Sequence, residues 1–161
     1  MGEWIDGGGS LVIDGYHVDI IFRDIEKLRQ VINESLEGNV SIHYQTGRPH
    51  GYLNVMYMGE LSISQILLDS KRMLKALKNR IEIYPEKMKH AIISFFLFES
   101  SFSLMFIEAN VDKQDSFYVT SHCFRSIACL NQVIFAKNNA YCINEKSVFY
   151  DSSIYKQTRK V

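Results

Sequence analysis

The stretch HVDIIFR, residues 17–23, sets one carboxylate, Asp19, among Val18, Ile20, Ile21 and Phe22. Branched and aromatic residues are those a pleated, half-buried strand selects, and aspartate is among those it rejects. An ionised carboxylate held against a sheet requires a cation, a metal ion or several hydrogen-bond donors. The alternative is an edge strand with Asp19 in solvent, paired with Arg23 or with His17 on the same face. A second set, His43, Tyr44, Arg48 and His50, gathers in and beside the loop TGRPHG. Loops display binding groups, so these side chains suit a phosphate or an acceptor, or else are ordinary surface residues. Their spacing is not that of a zinc pair such as HExxH. The triple glycine Gly7–Gly9 lacks the GK[ST] of a phosphate loop and reads as a flexible lead into a strand at Leu11. His122 and Arg125, close to Cys123 and Asn131, fall on one helical segment, where Arg125 suits an interhelical hydrogen bond. Phe95, Phe96, Phe98, Phe102 and Phe106 read as core.

The elements that would position these residues can be followed along the chain. Asp14-Gly15 between the apolar runs Leu11–Ile13 and Tyr16–Phe22 predicts a hairpin, because a tight primed turn needs positive φ. Strand alternation puts Tyr16, Val18, Ile20 and Phe22 on one side and His17, Asp19, Ile21 and Arg23 on the other. Asp24 is a natural N-cap for a helix over about 25–37, with Gly38 at its C-terminus. NVSIHYQ alternates as a strand, and 46–51 is a loop. The segment 61–68 is ambiguous. Asp69 caps SKRMLKALKNRI, Pro85 opens a long helix, VDKQD turns the chain, and a second long helix spans 116–137. Two long amphipathic helices joined by a short turn predict an antiparallel hairpin. A weak helix follows Asn144.

This order predicts an α+β protein: part of a mixed sheet with a helix over residues 1–60, then an antiparallel helical bundle over 61–161. Three strands and one helix make a thin α/β layer that needs covering from elsewhere, and an uncovered edge predicts a homodimer.

Of the 161 residues, 47% are hydrophobic and only two are proline, a globular composition. Lys plus Arg equals Asp plus Glu at 18 each, so no electrostatic footprint for nucleic acid or an anionic membrane is expected. Only the tail, with Lys156, Arg159 and Lys160, is locally basic. No apolar run approaches the roughly 20 residues that span a bilayer, and MGEWIDGGGS lacks the pattern of a signal peptide. Three cysteines without a CxxC pair suit a reducing, cytoplasmic setting, with Cys123 and Cys129 as buried free thiols.

WIDGGG, LVIDGYHVDIIFRD, the helix after it, HYQTGRPHGYLN, EKMKHAIISFFLFESSFSL and CFRSIACLNQVIFA together resemble the second part of bacterial and archaeal nucleotidyltransferase-domain proteins. These are minimal nucleotidyltransferases of the polymerase-β superfamily with a C-terminal helical domain, related to the antibiotic nucleotidyltransferases. The resemblance covers the chain to about residue 145. It implies transfer of a nucleoside monophosphate from a nucleoside triphosphate to a hydroxyl acceptor, with Mg²⁺ held by three acidic residues. Asp19 matches the third of these, as a metal ligand or general base. The Gly-Ser turn and first acidic pair have no counterpart, since only Glu3, Asp6 and Asp14 precede Asp19. The resemblance therefore implies an N-terminally truncated enzyme that does not transfer nucleotides alone, or a non-catalytic helical module for dimerisation or docking. The helical part also looks like the HEPN class, but Arg125 is followed by Asn131 where the ribonucleases of that class carry histidine.

Overall fold

The computed structural model describes residues 4–144. Its elements are β1 (Gly7–Ile13), β2 (Tyr16–Phe22), α1 (Ile25–Leu36), β3 (Ile42–His43), β4 (Tyr52–Leu53), α2 (Met56–Ile63), α3 (Met73–Arg80), α4 (Glu86–Asn110) and α5 (Ser116–Lys137). The fold is α+β with a helical C-terminal part. The expected helix after Asn144, the basic tail and Glu3 lie outside the described residues.

Asp14 and Gly15, at φ 51° and 82°, make the primed turn that joins β1 to β2. The antiparallel register sets Ser10 opposite Asp19 and Gly8 opposite Ile21. The glycines are part of the strand, not a lead into it: a Cβ at Gly8 would strike the Ile20 carbonyl. The strands form two separate two-stranded antiparallel sheets, β1-β2 and β3-β4, where one mixed sheet was expected. The NVSIHYQ strand shortens to Ile42–His43 because it pairs only with Tyr52–Leu53.

Helix α1 begins where Asp24 accepts from the Glu26 amide at 2.8 Å. It ends at Gly38, φ 88°, with the Asn39 amide returning to the Glu34 carbonyl at 2.9 Å. Asp69 caps α3 through the Met73 and Lys75 amides. Arg72, at φ 54°, delays that helix to Met73.

One core joins Leu28, Val31 and Ile32 of α1 to Tyr52, Leu53, Met56 and Met58, and to Met88, Ile92, Phe96 and Cys129 of the helical hairpin. The expected boundary at residue 60 falls inside α2, and side chains from both sides of it share this core. The α4–α5 pair is antiparallel, with Ser100 Oγ 2.8 Å from Ser126 Oγ and Arg125 paired to Glu99. The interhelical role expected of Arg125 is thus its observed one.

Most of the phenylalanines expected in the core are not there. Phe96 is buried, whereas Phe95, Phe98 and Phe102 are exposed, Phe98 by 63%. The α4 side chains that point inward are Met88, Ile92, Phe96, Ser100 and Ser103, so beyond Phe96 the buried stripe is serine. Cys129 is buried and Cys123 only half-buried. The helical stretch Glu86–Lys113 is long and apolar enough to cross a membrane by length and composition alone: an 18-residue window within it has mean hydropathy 1.6 and is 22% buried.

Burial sets an alkaline limit on this core. It pushes the phenols of Tyr52 and Tyr84 far above their ordinary range, with Glu60 adding at Tyr52 and Tyr141 at Tyr84, and pushes Tyr141 up to about 12. The unfolded chain releases these protons from about pH 10 upward, while the folded chain holds them. Stability is therefore complete below about pH 10 and falls as pH rises above it. Denaturant midpoints measured from neutral to strongly alkaline pH should stay level and then drop; midpoints unchanged above pH 10 would contradict the burial of these hydroxyls.

Candidate functional site

Asp19 sits in the middle of β2 and is exposed. Its Oδ1 accepts from Ser10 Oγ directly across the ribbon. Arg23, one expected partner, turns away. Its guanidinium donates to both Glu60 oxygens at 2.8 and 2.6 Å and to the Trp4 carbonyl at 2.8 Å, and its centre lies 4.9 Å from the Tyr57 ring. A fork-to-fork pair of this kind fixes direction as well as charge. With the Asp24 amide bonded to Asp6 at 2.9 Å, it ties the base of the ribbon to α2 and α1.

Beyond that base the ribbon carries Leu11, Val12, Ile13, Val18, Ile20, Ile21 and Phe22 exposed, on both faces. Magnesium, which the resemblance implies, demands a nearly complete octahedron of oxygen ligands. Among the described residues no three or more His, Cys, Asp or Glu side chains group closely enough to hold a metal ion. Asp19 and its surroundings do not make a magnesium site by themselves.

The loop residues and the α5 residues, far apart in sequence, meet. A groove of about 490 Å³ is lined by Pro49, His50, Phe117, Thr120, Ser121, Phe124 and Arg125. It adjoins a depression of about 270 Å³ lined by His43, Tyr44, Arg48 and again His50 and Arg125. Gly51, at φ 127°, lets the loop turn back beside Ile42, where a Cβ would come within 3.0 Å of that side chain.

Each basic group is held in place. Arg48 donates to the Ile143 carbonyl at 2.9 Å, with its guanidinium 5.4 Å from the Tyr52 ring. The His50 ring lies 6.0 Å from Phe96, and its Nε2 is 3.9 Å from Cys129 Sγ. His43 Nε2 is 2.8 Å from Ser41 Oγ, and its ring lies 4.5 Å from Trp4. His122 is elsewhere, against Phe106 and Tyr118 between the long helices.

Another depression, of about 660 Å³, lies between residues 62–66 and α3. There Lys78 Nζ donates to the Ser64 carbonyl at 2.5 Å, closing a seam of the fold, and neither histidine nor an aromatic ring lines it.

The loop was legible in the sequence as a cluster of basic and aromatic residues. Its opposite wall was not, because Phe117, Thr120, Ser121 and Phe124 read as one more amphipathic helix face. Only the coincidence of Phe117 and Phe124 with Arg125 at helical spacing hinted at it.

No curated protein and no solved structure matches the chain. The family model for a domain of unknown function, DUF4037, matches residues 55–148, from the start of α2 through the helical hairpin, and the chain belongs to that family.

Proposed function

We propose that this is a nucleotidyltransferase-type protein, of the class that moves a nucleoside monophosphate from a nucleoside triphosphate to a hydroxyl, and that it does not transfer nucleotides unaided. The observation that carries the reading is the setting of Asp19. It stands mid-strand in a two-stranded ribbon whose apolar side chains are exposed on both faces. A ribbon of two strands is marginal in water, whereas the same strands are at home inside a wider sheet. A carboxylate at the centre of such a strand would contribute one acid to a metal-dependent site completed by further strands. Alone it adds a single ligand to a hydrated Mg²⁺–ATP.

Calorimetric titration with ATP and Mg²⁺ tests this directly. The wild type should bind weakly, in the millimolar range, and Asp19→Asn should lose the Mg²⁺-dependent part of that binding. Identical isotherms for the two proteins, or no heat from either, would contradict the reading.

The outer face of α4 favours a second reading, a helical module that pairs with another copy of this chain. Phe95, Phe98, Phe102 and Met105 repeat at alternating spacings of three and four, a coiled-coil seam, and all four are exposed. Four exposed apolar side chains along one stripe of a helix make a contiguous patch of the kind that marks an interaction surface. The charge nearest the seam, Glu99, is neutralised by Arg125, so two copies meet there without repulsion. Sedimentation at micromolar concentration should show a dimer that Phe98→Glu with Met105→Glu converts to monomer; a monomeric wild type would contradict it.

A further inference from the structure

We infer that the groove between the 42–51 loop and α5 binds an organic monophosphate with a planar ring, without a divalent cation. This does not rest on the role proposed for Asp19. Three features carry it.

The first is charge. Arg48, Arg125 and His50 line the two adjoining depressions, and no carboxylate lines either. The acid in contact, Glu99, pairs with Arg125 from the α4 side and is itself only 16% exposed. A guanidinium has five N–H donors, so this bond leaves Arg125 able to donate into the groove. Two guanidinium groups and an imidazole suit a phosphate better than a singly charged carboxylate, because planar forks match phosphate oxygens in pairs.

The second is the apolar wall. Phe117 is 83% exposed and Phe124 44% exposed, two turns apart on the same face of α5. Exposed rings beside a basic groove are stacking platforms for a flat ring. Thr120 and Ser121 stand between them, and Ser121 Oγ donates to the Phe117 carbonyl at 2.8 Å.

The third is size and fixity. A groove of about 490 Å³ is within the range of small-molecule sites. Arg48 and His50 are both held, by the Ile143 carbonyl and by the buried rings of Tyr52 and Phe96, so little ordering remains for a ligand to impose. The absence of carboxylates among the lining residues separates the groove from a metal-bridged triphosphate site, which needs them.

The test is titration of the full chain with AMP in the presence of EDTA, followed by amide NMR, with adenosine as the uncharged control. AMP should shift the amides of Arg48, His50 and Gly51 and of residues 117–125, and adenosine should bind at least tenfold more weakly. Arg125→Gln should weaken AMP binding about tenfold, and Phe117→Ser about fivefold. Phe117 is almost fully in solvent, so its replacement leaves the fold intact and keeps the test decisive if Arg125→Gln disturbs the helical pair. Asp19→Asn should leave AMP binding unchanged, which distinguishes this site from the one on the ribbon. No binding at millimolar AMP, adenosine binding as well as AMP, or affinity unaltered in the Phe117 variant would each overturn the inference.

Discussion

Truncation of Phe96 to alanine is expected to remove about 3–5 kcal/mol of folding stability, the largest loss from any single side chain considered. The ring is 1% exposed and stands where the helical hairpin meets the rest of the fold. It packs edge-on to Phe95 with centroids 5.0 Å apart and tilts over His50 at 6.0 Å. Beyond it the inward-facing residues of α4 are Ser100 and Ser103, which supply no apolar volume to fill a cavity. Against a total of about 5–15 kcal/mol for a domain this size, the variant is left marginal. Phe96→Leu keeps most of the volume and should cost less than about 1.5 kcal/mol. Urea midpoints of the three proteins measure both values, and a loss below about 1 kcal/mol in Phe96→Ala would place the ring outside the core.

Gly59→Ala should be the second large effect, and its sign runs against helix propensity. In an exposed helix interior this replacement gains about 1 kcal/mol. At Gly59 a Cβ would lie 2.9 Å from Tyr141 Cβ and 2.9 Å from Ile143 Cγ1. Tyr141 Cβ is anchored to the backbone and cannot swing aside, so the chain at 141–143 must move. Overpacking of this kind costs about 1–3 kcal/mol, and the net loss should be about 1–2. Displacing Ile143 also disturbs the carbonyl to which Arg48 donates, linking this position to the groove. The denaturation midpoint should fall and the buried thiol of Cys142 should alkylate faster than in the wild type. A stability gain of about 1 kcal/mol would show that propensity wins and that the close approach is absent.

Local signals carried much of this fold. Asp14-Gly15, Asp24, Gly38, Pro85 and the borders of α5 each depend on residues near in sequence, and each lies where its own chemistry puts it. Long-range partners were not legible. Arg23 could pair with Asp19 on its own strand, and only the folded chain brings Glu60 to it from α2. The short strand Tyr52–Leu53 and helix α2 were missed because Met56, Tyr57, Met58 and Leu61 are buried around most of the circumference of α2, so MYMGELSI shows no helical period. The phenylalanines of α4 failed for the converse reason: hydrophobicity predicted burial, and the hairpin extends beyond the body that would cover it. Of the candidate site residues, the loop cluster and Arg125 were each recognised alone. Their convergence is tertiary, as is the exposure of Asp19.

The role of Asp19 can be read atom by atom. Mn²⁺ substitutes for Mg²⁺ in ATP complexes and broadens the NMR signals of nuclei near it. Titration of Mn²⁺–ATP into the labelled chain should broaden the amides of Asp19 and its cross-strand neighbour Ser10 first, and Asp19→Asn should abolish that broadening. Signals at Ser10 and Asp19 that stay sharp at millimolar Mn²⁺–ATP, or that broaden equally in Asp19→Asn, would contradict the assignment of Asp19 to a nucleotidyl-transfer site.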